Sequence, residues 1–157
     1  MEVRKIKKDE YEQAYNLISA IMKAEFPEDE GAYPLEDVSN IDKAYGHLAE
    51  AFFVASDDEG NVVGTVAVKR EDDRTAFLRR IFVDPNCRGK RIGKKLVDRA
   101  IAFCKEVGYH EIIFKTTSRM KSAIKLCEKQ GFVERAKIDL GSIELLKFTL
   151  FLKENAA

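Results

Sequence analysis

The apolar positions of this chain change period several times, and each change marks an element. Residues 1–6 predict a short edge strand. Tyr11, Ala14, Tyr15, Ile18, Ile21 and Met22 then recur every three or four residues, which predicts a helix with one apolar face. Asp9 followed by Glu12 gives it a capping-box-like start. Pro27, Gly31 and Pro34 break the following stretch into a loop, and residues 38–50 predict a second helix. Residues 51–56 and 62–68 are apolar and rich in Val, and the turn Asp58-Glu59-Gly60-Asn61 between them predicts a hairpin. After the polar turn Glu71-Asp72-Asp73, residues 77–83 predict a strand bounded by Asp84-Pro85. Helical spacing returns at Ile92, Leu96, Val97, Ala100, Ile101, Cys104 and Val107, with Gly108 as the closing C′ residue. Residues 111–117 predict a strand, and 119–129 a helix with Met120, Ala123, Ile124 and Cys127 on one face. Strands at 133–138 and 145–152 surround Gly141-Ser142. The reading is one mixed α/β domain over residues 1–157: strands, a β-α-β unit that should be parallel, then a closing hairpin.

Between the strand at 77–83 and its helix lies Asn86-Cys87-Arg88-Gly89-Lys90-Arg91-Ile92-Gly93-Lys94-Lys95. A helix start has unpaired N–H groups and the positive end of the macrodipole, so it suits phosphate. Five cations (Arg88, Lys90, Arg91, Lys94, Lys95) sit there, with no acid between Pro85 and Asp98. The loop is not a P-loop, because Gly89 and Gly93 are one residue too close and Lys95 stands where a hydroxyl would hold magnesium. A dinucleotide fingerprint would need glycine at Arg91. Backbone N–H groups would grip a pyrophosphate while side chains neutralise it. Arg91 is compatible with that role if its φ stays negative.

Composition bounds the partners. Lys+Arg and Asp+Glu are both 27, so no overall charge draws the chain to nucleic acid or membrane. A 45% hydrophobic and 34% charged content is ordinary for a soluble globular protein. Cys87, Cys104 and Cys127 are an odd set without CxxC spacing, which argues against a disulfide scaffold or a zinc site and fits a reducing cytoplasm. No signal peptide or membrane-length apolar run is read. The balanced total hides a local asymmetry. Glu25, Glu28, Asp29, Glu30, Glu36, Asp37, Asp42 and Glu50 face only Lys43 in that stretch, whereas the loop at 88–95 is purely basic.

The loop resembles the acetyl-CoA-binding motif of the GCN5-related N-acetyltransferases, Arg/Gln-x-x-Gly-x-Gly/Ala. Arg88, Ile92 and Gly93 match it, as does the preceding Ile-Phe-Val-Asp-Pro, and Arg91 departs at the middle glycine. Residues 121–132 resemble the family's later Asn-x-x-Ala-x-x-Leu-Tyr-x-x-x-Gly-Phe signature through Ala123, Leu126 and Gly131-Phe132. The asparagine position falls on Met120 and the tyrosine position on Cys127. The hairpin at 51–68 resembles the family's second and third strands. The likeness runs from the N-terminal strand to Phe132.

That resemblance implies a central, mostly antiparallel sheet with one parallel β-α-β unit and flanking helices. It implies an N-acetyltransferase using acetyl-CoA as cosubstrate, with direct attack by a primary amine in a ternary complex. Pantetheine would bond a splayed strand at Ile81, Phe82 and Val83, with an oxyanion donor near Phe82-Val83. The pyrophosphate would lie on Arg88, Gly89, Lys90, Arg91, Ile92, Gly93 and Lys94. The family's tyrosine acid falls on Cys127, which is read either as catalytic acid or as a small buried hydrophobe. The base glutamate of some members is missing from Ala76-Phe77-Leu78, so deprotonation would run through water to the acidic belt. An acidic wall would favour a cationic acceptor, with Tyr45 and His47 in the same region. Arg79 and Arg80, adjacent on a strand, should point to opposite faces. Either both snorkel or pair with acids, or one enters the acceptor cleft and meets an acidic group of the substrate. A monomer or homodimer is expected, without nucleic acid, membrane or metal. The rival reading is a non-catalytic acyl-CoA-binding sensor.

Overall fold

A computed structural model describes residues 1–29, 31 and 33–152. Strands β1 (Glu2–Lys5), β2 (Ala51–Ser56), β3 (Val62–Arg70), β4 (Thr75–Val83), β5 (Glu111–Thr117), β6 (Val133–Asp139) and β7 (Glu144–Phe151) form one sheet in the order β1-β2-β3-β4-β5-β7-β6. All neighbours are antiparallel except β4 and β5, which run parallel on either side of helix α3 (Ile92–Val107). The remaining helices are α1 (Tyr11–Glu25), α2 (Ile41–Ala44) and α4 (Lys121–Lys129). The expected class, with its parallel unit and closing hairpin, is the one observed.

Two cores form, one on each face of the sheet. α3 buries Ile92, Leu96, Val97, Ala100, Phe103 and Cys104 against Phe53, Val66, Val68, Leu78 and Ile112. α1 buries Ala14, Ile18, Ile21 and Met22 against Phe52, Val54, Ala67 and Phe82 on the other face. Strands covered on both sides become continuously apolar, which is why β2 and β3 read as unbroken runs rather than alternating ones.

Two local readings are corrected. The second helix is four residues rather than thirteen: Tyr45 ends α2, and its ring packs edge-on against Phe52 with centroids 5.5 Å apart. At the start of α1 the contact is made by Glu10, not by Asp9 and Glu12. The buried Glu10 carboxylate accepts from the Lys7 N–H at 2.9 Å and from both Arg4 amino groups at 2.8 Å. These hydrogen bonds tie the helix start to β1.

Gly64 on β3 sets the distance of α3 from the sheet. A Cβ there would lie 2.8 Å from Leu96 Cδ1 and 3.2 Å from both Ile92 Cγ2 and the Phe82 carbonyl oxygen. The first turn of α3 therefore sits directly on β3, beside the end of β4. Gly64→Val should cost about 1–3 kcal/mol through overpacking, read as a lower denaturation midpoint with an unchanged m-value.

Candidate functional site

The site begins at a bulge in β4. Thr65 pairs with Phe82 but Ala67 pairs with Arg79, so β4 carries one residue more than its partner across this step. Arg80 supplies the irregularity with φ 55, a left-handed conformation that a non-glycine residue adopts at a cost of about 1–3 kcal/mol. An extra residue inverts the faces of a strand. Ala76 and Leu78 pack into the α3 core, yet beyond the bulge Ile81 and Val83 pack there and Phe82 joins the α1 core. The bulge also ends pairing with β5, whose register with β4 covers Thr75–Phe77 alone. From there the two strands diverge, and the β5-facing edge of β4 has no strand partner among the described residues.

The bulge overturns the expectation that Arg79 and Arg80 face opposite sides. Both reach Asp37: Arg80 at 3.0 Å from Nε and 2.5 Å from Nη2, and Arg79 at 3.8 Å. The Arg80 side chain is 3% exposed, and its Nη2 also donates to the Pro34 carbonyl at 2.6 Å. Tyr45 donates to Asp37 at 2.6 Å, and Thr65 Oγ1 to the Arg80 carbonyl at 2.7 Å. Burial alone would raise the Asp37 pKa, but the hydrogen bonds from Arg80 and Tyr45 outweigh it and hold the carboxyl below its ordinary value.

A cleft of about 650 Å³ opens where β4 ends. Ile81, Phe82, Val83, Arg88, Gly89, Arg91, Ile92, Gly93 and Lys94 line it; Lys90 does not. Its floor is the first turn of α3. Gly89 has φ 84 and Arg91 φ 62, and no side chain among the described residues caps the helix start. Arg91 thus adopts a positive φ, the conformation under which its place in the pyrophosphate loop was expected to be a problem, because the chain reverses there to enter the helix beneath Val83. Two of the five cations are already paired: Arg88 is held by both Glu25 oxygens at 2.8 and 2.9 Å, and Lys94 by Asp98 at 2.7 Å. Gly93 allows α4 to approach, since a Cβ there would sit 3.0 Å from Leu126 Cδ2.

A second cleft of about 300 Å³ adjoins the first through Ile81, Phe82, Met120 and Ala123, and extends between β4 and β5 to Tyr33, Arg79, Arg80 and Lys115. The expected acidic wall does not line it. Asp37 is consumed by Arg80, Glu28 and Asp29 by Arg119, and Glu50 by Lys69 and the Arg70 N–H. Glu36 and Asp42 are exposed elsewhere, and Glu30 lies outside the described residues. His47 Nδ1 accepts from the Ala49 N–H at 3.0 Å and serves a turn. Burial raises the pKa of Tyr33, so its phenol stays protonated.

Cys127 lies inside the α3 core at 0% exposure and lines neither cleft. Burial, and secondarily Glu128, push its thiol up to about 12. Several cleft residues went unread in the sequence: Glu25 as the partner of Arg88, Tyr33, and Lys115. The last carried a signal, a lysine inside the apolar run Ile112-Ile113-Phe114-Lys115.

A sequence model described as the acetyltransferase (GNAT) family matches residues 12–132. N-acetylaspartate synthetase of Danio rerio is 39% identical over 97 residues, which cover 61% of this chain and 34% of that protein. The chain therefore spans about a third of the length of that curated relative. A GNAT-family acetyltransferase from Staphylococcus aureus Mu50 superposes with a TM-score of 0.83 at 28% identity, over 97% of this chain and 99% of the other. Spermidine N-acetyltransferase from Vibrio cholerae, solved with CoA and spermine, shares the fold at a TM-score of 0.73 and 21% identity, over 96% and 94%.

Two outcomes follow from the strained and buried positions. Arg91→Gly should relieve a left-handed residue worth about 1 kcal/mol and raise Tm by about 2–4 °C in a thermal melt, despite removing a cation. Asp37→Ala should cost about 3–5 kcal/mol by stranding Arg80. The depressed Asp37 carboxyl contributes stability above its unfolded pKa, and that contribution is lost as pH falls through the lower folded value. Denaturant midpoints of Asp37→Ala should accordingly fall less steeply than wild type below about pH 4.

Proposed function

The chain belongs to the GNAT acetyltransferase family, and on that premise we propose that it transfers an acetyl group from acetyl-CoA to a primary amine held in the smaller cleft. The observation that carries the reading is the junction of the two clefts at Ile81 and Phe82, beside a strand edge that β5 has left and an uncapped helix start. Together they offer what such a cosubstrate needs. The free edge of β4 at Ile81–Val83 can hydrogen-bond the amides of pantetheine. The N–H groups at the start of α3, with Arg91 and the neighbouring cations, can hold the pyrophosphate. Arg88 contributes once its pairing with Glu25 is shared or exchanged, and Lys90 from outside the wall of the cleft.

Bound there, acetyl-CoA supplies an activated thioester. The neutral amine forms the N–C bond at the thioester carbon while the C–S bond breaks; the ammonium proton passes to water, and CoA leaves as its thiolate, which solvent then protonates. The protein's part is orientation and charge: the Phe82-Val83 edge supplies N–H donors for the developing oxyanion. No carboxylate or histidine lines the smaller cleft among the described residues, which supports water rather than a side chain as the acceptor of the amine proton. Cys127 packs α4 against the sheet and does not protonate the leaving group; its burial supports this, and the CoA thiolate departs readily without an acid. The acceptor's charge is not chosen by the fold, since one neighbour is bound to spermine and one relative is named for N-acetylaspartate.

Steady-state thiol release with a panel of amines tests the reading directly, and a protein that binds acetyl-CoA without releasing thiol would be a sensor instead. Acetyl-CoA should raise Tm by mass action, and Gly93→Val should weaken its calorimetric affinity, because the added side chain crowds Leu126 and the floor of the cleft. With water as the base, kcat/KM should rise with pH until the acceptor's own amine is deprotonated. A plateau near a carboxylate or imidazole pKa would identify a base on the protein. Cys127→Ala should retain most of kcat while losing on the order of 1 kcal/mol of stability.

A further inference from the structure

We infer that the smaller cleft recognises an acidic acceptor: an amine carrying a carboxylate, which Arg79 and Lys115 hold at the end away from the reacting nitrogen, with the buried Arg80 guanidinium behind them. The inference rests on the transferase reading above and specifies its acceptor.

Three observations carry it independently of any relative. First, Arg80 lines this cleft, and its Nη1 is the only buried side-chain nitrogen or oxygen without a hydrogen-bond partner among the described residues. Nε and Nη2 are spent on Asp37 and Pro34, so the guanidinium arrives oriented, with one donor group left over. A buried cationic donor left unpaired biases the wall of the cleft toward an anion. Second, charge in the cleft is one-sided. Arg79 is 39% exposed and only loosely paired to Asp37 at 3.8 Å, while Lys115 reaches over the Phe77 ring at 5.0 Å and has no carboxylate partner among the described residues. Asp37 is the one acid among the described residues in contact with these cations, and Arg80 already neutralises it. Third, Lys115 stands directly opposite Lys147 in the β5–β7 ladder. Like charges facing each other across strands are destabilising, and neither lysine is relieved by an ion pair among the described residues. An anion bound over this face would relieve that repulsion as well.

A diamine would meet the same field as repulsion. At about 300 Å³ the space suits a small molecule rather than an extended chain. The proposed acceptor is thus a small amino acid or aminodicarboxylate, with its nitrogen directed toward Ile81 and Phe82.

The test is a matched panel in the thiol-release assay: aspartate, glutamate and δ-aminovalerate as acidic amines, pentylamine as neutral and cadaverine as cationic. At least one acidic amine should exceed cadaverine by about 10-fold or more in kcat/KM, with a KM that rises with ionic strength. Arg79→Gln combined with Lys115→Gln alters exposed groups and so avoids unfolding the Arg80–Asp37 centre. It should raise the KM for the acidic amine about 10-fold and leave the KM for acetyl-CoA unmoved, with Arg79→Lys recovering part of the loss. A preference for cadaverine, or an acidic-amine KM indifferent to the double substitution, overturns the inference while the transferase reading stands. Thiol release with none of the five, when calorimetry shows acetyl-CoA bound, overturns the transferase reading and this inference with it.

Discussion

Arg80 holds a left-handed backbone conformation in the middle of a strand, and its two-point grip on Asp37, with Pro34 and Thr65 assisting, stabilises it there. Everything at the site depends on that single constraint. The bulge inverts the faces of β4, detaches it from β5, and turns Ile81 and Val83 toward α3 while Phe82 faces α1. A regular strand would continue the sheet and leave no cleft. The guanidinium–carboxylate pair also anchors the loop between α1 and α2, so the wall of the smaller cleft and the kink that opens it are held by the same side chains.

Charge is distributed so that each half of the cleft has a distinct character. In the larger half, uncapped N–H groups at α3 and a cluster of cations suit phosphate, with Glu25 and Asp98 partly neutralising Arg88 and Lys94. In the smaller half, Arg79, Arg80 and Lys115 outnumber Asp37. Five of the acids that the sequence groups together, Glu25, Glu28, Asp29, Asp37 and Glu50, are dispersed by the fold into ion pairs with Arg88, Arg119, Arg80 and Lys69. A run of like charge in sequence therefore says little about the local field, because many of its side chains find partners from other elements.

Glycine is used sparingly and for different reasons. Gly64 has no strained φ; it is required because α3 lies directly upon it. Gly93 allows α4 to close over the same turn, and Gly89 permits the reversal that precedes it. Arg91 carries a positive φ without being glycine, which places some strain at the mouth of the cleft alongside that at Arg80. Strain at two arginines, one on each of two adjoining clefts, is the pattern expected where geometry serves a site rather than stability.

The sequence by itself determined the elements, their order, the parallel unit and the loop that opens α3, because hydrophobic period and turn residues are local signals. The spacing of Ile92, Leu96, Ala100 and Cys104 placed a helix and its buried face, and Arg88, Ile92 and Gly93 carried the family likeness at the same place. What tertiary structure decided was where charges meet and which way side chains point. The bulge at Arg80 arises from pairing with β3 and from Asp37, 43 residues away in the chain, and no local pattern encodes it. Its consequence, two neighbouring arginines on one face, contradicts the alternation that any strand reading assumes. The second helix is only Ile41–Ala44, and Tyr45 at its end bonds Asp37 in that same contact. The positive φ of Arg91 and the pairing of Glu25 with Arg88 likewise belong to the closing of one element over another, a long-range demand that residue order does not display.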